Sequence, residues 1–234
     1  MSLLNLHSWN VNASQAVTIQ TDLRARLVLS WDGREVETIG GVDVGLENKR
    51  ARASIVVLRY PGLTPVEEVT AEVAVTFLYI PGLLAFREGP AVLAAWNQLK
   101  RKPDILMFDA QGIAHPRGIG LASHMGLWLE RPSIGIAKSR LYGCHTDPGP
   151  KRGDRAELWD EHDPESIIGM VLRTRTDVNP VYVSIGHLID LPHSVEFALK
   201  CCTRFRLPEP TRWAHKVAAG ERLPTEAGRQ ASLF

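Results

Sequence analysis

Cysteine is scarce in this chain, with three residues in 234. Cys201 and Cys202 are adjacent and Cys144 stands apart, so no disulfide framework can be drawn, and a reducing, cytoplasmic compartment is expected. No Cys-x-x-Cys occurs and the histidines are scattered, which leaves nothing for a zinc site. No apolar run approaches the ~20 residues that a membrane span needs, so no membrane partner is expected. The amino-terminal Met1-Ser2-Leu3-Leu4-Asn5-Leu6-His7 has no basic flank and a broken apolar run, which argues against a secretory signal. Charge of one sign is lacking too. With a formal net charge of +1, binding to a polyanion would have to rest on a focused cleft, not on a global field. The Gly-Lys-Ser/Thr ending of a phosphate-cradling loop is also missing.

The composition that remains, 44% hydrophobic and 23% charged, is that of an ordinary globule. Ala16, Ile19, Leu23 and Leu27 fall at helical spacing, which predicts a helix reaching about Trp31 with Ser14 as its cap. Strands are expected at Thr38–Leu46, Arg52–Tyr60 and, by alternation, Val69–Phe77, close enough to form an antiparallel meander. A helix over Pro90–Lys102, a strand over Asp104–Asp109, a helix over Leu121–Glu130 and a strand over Ser133–Ala137 follow. This β-α-β-α-β run implies parallel pairing. Gly143–Pro164 reads as a polar surface loop. Strands Ile167–Arg173 and Val181–Ile185 precede helices at His193–Phe205 and Thr211–Ala219, and 220–234 reads as a tail. The sum is an α/β fold: a mixed sheet flanked by helices, in a single domain spanning 1–219.

Two carboxylates stand where carboxylates are costly. Asp43 follows Ile39-Gly40-Gly41-Val42 and Asp109 follows Ile105-Leu106-Met107-Phe108, each at the carboxyl end of an apolar strand. Open α/β sheets form their sites there. Glu88, in Phe86-Arg87-Glu88-Gly89, is a third acid near a helix start, where the helix dipole favours it in any case. A hard divalent cation with oxygen ligands is the natural partner of converging carboxylates, and points to hydrolysis of phosphate esters. Lys138, just after its strand, is placed to neutralise a phosphoryl group. The glycine-rich stretch from Asp109 to Gly120 could present backbone N–H groups, including those of Ala110 and Gly112, to a base or a phosphate. His115 within it reads equally as a phosphate contact or as a loop cap. Tyr79-Ile80-Pro81-Gly82 is a rigid turn with an aromatic and an aliphatic tip, suited to pushing between stacked bases. Ser184-Ile185-Gly186-His187 suggests a Ser/His pair, but a structural reading dominates there.

Together these motifs resemble the endonuclease V family. The matching segments are Gly41-Val42-Asp43, Tyr79-Ile80-Pro81-Gly82, Phe86-Arg87-Glu88, Asp109 through Pro116-Arg117, and Ala122-Ser123-His124-Met125-Gly126. Ile134-Gly135-Ile136-Ala137-Lys138, Ser184-Ile185-Gly186-His187 and Leu207-Pro208-Glu209-Pro210-Thr211-Arg212 complete the set, in order, over about residues 37–217. The resemblance implies an RNase H-like fold and a Mg²⁺-dependent endonuclease of DNA repair. Such an enzyme recognises deaminated bases, chiefly inosine, and cuts the second phosphodiester bond to the 3′ side, leaving a 3′-hydroxyl and a 5′-phosphate. It makes Asp43, Glu88 and Asp109 the metal-binding acids, Lys138 the phosphate-contacting lysine and Tyr79–Gly82 the wedge. It sets Leu84, Gly120 and Leu141 near the base pocket and His115 at the substrate. DNA carrying deoxyinosine is the expected partner, with inosine-containing single-stranded RNA a second candidate, and a monomer is expected.

Three residues depart from the family pattern. Ala110 stands where glycine is usual, Leu78 where proline is common, and His215 where the last helix carries an aspartate. Imidazole favours Mn²⁺ over Mg²⁺, so Mn²⁺ is expected to substitute or to be preferred. Two other readings compete: a module that holds inosine without cutting, and a structure-selective nuclease on a similar fold.

Overall fold

A computed structural model describes residues 5–223. The expected tail lies, from residue 224 onward, outside the described residues.

The first helix, α1 (Ala13–Arg24), is capped by Asn12, not Ser14. The Asn12 side chain accepts from Gln15 N and the Gln15 side chain accepts from Asn12 N, both at 2.9 Å. The helix stops well short of Trp31 because tertiary partners claim the backbone beyond it. Val28 N donates to His187 Nδ1 at 3.2 Å, and Val28 O accepts from Leu188 N at 2.6 Å.

The meander follows as β1 (Thr38–Glu47), β2 (Arg50–Arg59) and β3 (Thr64–Ala74). Asn48 and Lys49, both at positive φ, make the two-residue turn between β1 and β2, so β2 begins two residues earlier than its apolar run. The third strand also begins earlier than expected and takes in Pro65. β3 is an edge strand, and a missing N–H costs little there.

Helix α2 (Leu84–Gln98) starts six residues before Pro90 and carries that proline inside. An interior proline costs about 3 kcal/mol. Burial of Ala85, Phe86, Ala91, Val92, Ala95 and Trp96 against the sheet offsets it. Next come β4 (Ile105–Phe108), α3 (Leu121–Leu129), β5 (Ser133–Ala137), β6 (Arg155–Trp159), β7 (Ile167–Leu172) and β8 (Val181–His187). β6 lies inside the segment expected to be a loop. It is a short, charged edge strand, which gives little hydrophobic signal. Helix α4 (Leu191–Lys200) ends earlier than expected, where Cys201 O accepts from Glu209 N at 2.8 Å and the chain turns into α5 (Glu209–Ala218).

All eight strands form one sheet in the order β3-β2-β1-β4-β5-β8-β7-β6. β1, β4 and β5 run parallel at its centre, as the β-α-β-α-β pattern implied, and the remaining pairings are antiparallel. α2 and α3 cover one face, and α4 and α5 cover the other. Leu106 and Phe108 of β4 face the first layer, while Ile105 and Met107 face the second. Burial on both faces is why the central strands read as unbroken apolar runs. Among the described residues no helix is long and apolar enough to cross a membrane, and Cys144, Cys201 and Cys202 are free thiols.

Candidate metal centre and base cavity

Asp43 is not at a strand end. It lies in the middle of β1, which runs on beside β2 after its pairing with β4 has stopped. The last parallel pair is Val42 with Phe108, and Asp109 N then donates to Val42 O at 3.0 Å. The next residues in register, Asp43 and Asp109, are therefore neighbours across two strands. Asp43 still sits at the carboxyl end of the parallel stretch.

The third member comes from α5. A side chain at Gly41 would put its Cβ 1.9 Å from Pro210 O, so only glycine lets the start of α5 rest on β1 here. Ser54 Oγ donates to Ala214 O at 2.5 Å and fixes the next turn of the helix. His215 Nδ1 then meets Asp43 Oδ2 at 2.9 Å. Asp43, Asp109 and His215 each offer a ligand atom, all within 4.8 Å of one another.

Lys138, at the end of β5, reaches Asp109 Oδ2. Burial nevertheless raises the Asp109 carboxyl above its ordinary value, with the contact to Lys138 opposing it. Glu88 lies outside the tight trio. Its side chain is buried on α2, and burial followed by the nearby Asp43 pushes its pKa up to about 8. Two carboxylates and an imidazole suit a divalent cation. A cation there would also add to the positive charge of Arg87 that opposes the rise at Glu88, so these residues fit a metal centre.

Beside this cluster is a cavity of about 320 Å³, within the range of small-ligand sites. Asp109 belongs to both, and Lys138, which contacts Asp109, lines the cavity. The turn Tyr79–Gly82 with Leu84 forms one wall, and Ala110, His115 and Gly120 line another, with Leu141 at the rim. Gly112 does not reach the cavity lining. It lies against β8, its N–H donating to Ser184 Oγ at 2.8 Å. Ser184 thus serves the loop and His187 serves Val28, as the structural reading of that segment requires.

His115 is buried, and burial pushes its pKa down to about 4. It accepts Arg117 N at Nδ1 (3.1 Å) and donates from Nε2 to Gly82 O (3.0 Å), tying its loop to the Tyr79–Gly82 turn. Arg117 is held in the same way, through Gly82 O and Gln20. Lining residues that sequence reasoning missed include Gln20, Gln111 and Ser139. A polar residue between Ala16 and Leu23 on the buried face of α1 was the available signal for Gln20. Gln111 Nε2 donates to Ser139 O at 3.1 Å, which leaves Gln111 Oε1 a buried acceptor without a partner.

The family model "Endonuclease V" matches residues 21–216. An endonuclease V of Rippkaea orientalis is 46% identical over 209 residues, covering 88% of this chain and 90% of the relative. The crystal structure of endonuclease V from Streptomyces avermitilis is similar at a TM-score of 0.86 and 38% identity, covering 96% of each chain. That of Ciona intestinalis endonuclease V, in complex with a 24mer DNA containing an inosine followed by a ribo-adenosine, is similar at a TM-score of 0.77 and 25% identity, over 88% of this chain and 96% of the other. The sheet order and helix layers described above are thus those of an RNase H-like fold.

Proposed function

The chain belongs to the endonuclease V family, and on that premise we propose that it is a metal-dependent endonuclease of DNA repair acting on deaminated bases, chiefly inosine. The observation that carries this reading is the junction of two features. A cluster of Asp43, Asp109 and His215 opens onto a base-sized cavity, and Asp109 belongs to both.

Asp43, Asp109 and His215 would hold the ion, with Glu88 as the nearby third acid. A divalent cation held there supplies an activated water and neutralises charge on the phosphate. Lys138 presents its ammonium to a phosphoryl oxygen, and its link to Asp109 keeps it at the cluster. Tyr79, 66% exposed where the chain enters its turn and with the Arg87 guanidinium over its ring, enters a base stack and fills the space of an extruded nucleotide. The extruded base enters the cavity. Gln111 lines it, and a glutamine amide oxygen suits a base edge carrying N–H, as hypoxanthine does where adenine has a bare nitrogen. Ala110 lines the cavity without leaving ordinary backbone geometry, so its methyl group narrows the pocket but does not distort the loop.

The cut falls at the second phosphodiester bond 3′ to the lesion and leaves a 3′-hydroxyl and a 5′-phosphate. Mg²⁺ is the proposed ion, with Mn²⁺ as substitute or preferred ion because of His215. The chain acts as a monomer in the cytoplasm, on DNA first and on inosine-containing single-stranded RNA as a second substrate.

The test is a nicking assay on end-labelled duplexes with and without one inosine, in Mg²⁺ and in Mn²⁺. One cut at the second 3′ bond, dependent on inosine and lost in Asp43→Ala, is expected. Tight inosine-dependent binding with no cut in either ion would replace the nuclease by a binding module.

A further inference from the structure

Ile80–Leu83 is a turn closed by Leu83 N donating to Ile80 O at 3.0 Å. Pro81 and Gly82 form its centre, Gly82 at φ +79°, as a type II turn requires. The Gly82 carbonyl accepts from three side chains: Gln20 Nε2 at 2.9 Å, His115 Nε2 at 3.0 Å and Arg117 Nη2 at 2.6 Å. A carbonyl oxygen has two lone pairs, so three donors saturate it. Gln20 binds the set together. Its Oε1 accepts from Arg117 Nε at 2.5 Å, and its Nε2 also donates to Ile119 O at 3.2 Å.

Gln20 is only 1% exposed and lies between Ala16 and Leu23 on the face by which α1 packs. A leucine or methionine would serve that packing without a buried amide to satisfy. The polar group serves the turn directly through Gly82 O and indirectly through Arg117, which binds the same carbonyl, with Ile119 O as a further acceptor. Beyond that anchor the chain stands out from the surface, with Leu78 81% exposed and Tyr79 held by the Arg87 guanidinium over its ring. An exposed tip that parts stacked bases needs a base that does not yield.

We infer that Gln20 is a positioning residue for lesion capture. Through the Gly82 carbonyl it holds the Tyr79–Gly82 turn rigid over the cavity while the strands are parted. This rests on the wedge reading proposed above.

Gln20→Met keeps length and bulk but removes all three hydrogen bonds. Its nicking is compared with wild type on a duplex carrying one inosine and on the same strand unpaired, where no strands need parting. The expected loss on the duplex is on the order of 10- to 100-fold, and about tenfold greater than the loss on the single strand. A second readout needs no ion. With 2-aminopurine placed 3′ to the inosine, binding by Asp43→Ala should raise fluorescence, and Asp43→Ala combined with Gln20→Met should raise it less.

Gln20→Glu keeps the acceptor for Arg117 but not the donor to Gly82. It should show the same duplex-selective defect, and it decides the matter if the methionine variant does not fold. Equal losses on both substrates, or an undiminished 2-aminopurine response, would overturn the inference. A wild-type chain that nicks neither substrate would refute the proposed function instead, and the fluorescence comparison would still decide the role of Gln20.

Discussion

His215 brings a nitrogen to a cluster otherwise made of carboxylates. Its imidazole sits 2.9 Å from Asp43 and over half exposed, so it can turn toward an ion without dismantling the core. Imidazole is a poorer ligand for Mg²⁺ than carboxylate and a better one for Mn²⁺. Replacing His215 by Asp should therefore raise the ratio of Mg²⁺- to Mn²⁺-supported nicking by about tenfold, or about 1.4 kcal/mol. Initial rates at matched ion concentrations measure it, and an unchanged ratio would take the imidazole out of the metal's coordination shell. Among the described residues no cysteine belongs to the cluster or lines the cavity. Burial pushes the thiol of Cys202 up to about 12 and that of Cys201 further still.

At the scale of elements, α5 depends on β1 through one missing side chain. Gly41→Ala would drive a methyl group into the Pro210 carbonyl, a backbone atom that cannot swing aside. Overpacking of this sort costs about 1–3 kcal/mol. Here it should also lift His215 from Asp43, so nicking should fall further than the urea midpoint implies. Parallel urea titrations and nicking rates separate the two effects.

The same elements show what could be read in advance. Two-sided burial makes the runs of β4 and β5 conspicuous, and the sequence placed Asp109 and Lys138 at their ends correctly. Asp43 read as a strand end although the expected strand ran on to Leu46, because the fully buried apolar run stops at Val42 while the pairing with β2 continues. The early stop of α1 was equally hidden, since it depends on His187, 159 positions from Val28. β6 escaped because its five residues include two charges. The Gln20–Gly82 bond crosses 62 positions and leaves no periodic trace in the sequence.

At the scale of the whole molecule, several histidines are folded as neutral groups. Burial pushes His124 down to about 3 and His187 to about 4, alongside His115. His124 is fully buried and meets His7 nitrogen to nitrogen at 2.7 Å, an arrangement that cannot hold two protons. Unfolded histidines regain a pKa near 6.5, so the unfolded chain takes up protons that the folded chain refuses. Their contribution to stability is complete above pH 6.5 and shrinks as the pH falls, by about 1.4 kcal/mol per pH unit for each group. Glu88, raised to about 8, changes in the opposite direction and offsets part of the loss. The clean measurement is a difference. In urea titrations from pH 7.5 to 5, His124→Gln should lose stability less steeply than wild type, and identical slopes would contradict the assignment.

The docking of α5 on β1 also bears on timing. His215 lies on the element that comes after every other described helix and strand. A chain that folds as it is synthesised assembles Asp43 and Asp109 first and gains its imidazole only when the rest of the sheet is made. The trio is therefore complete only once the last described element has docked on β1.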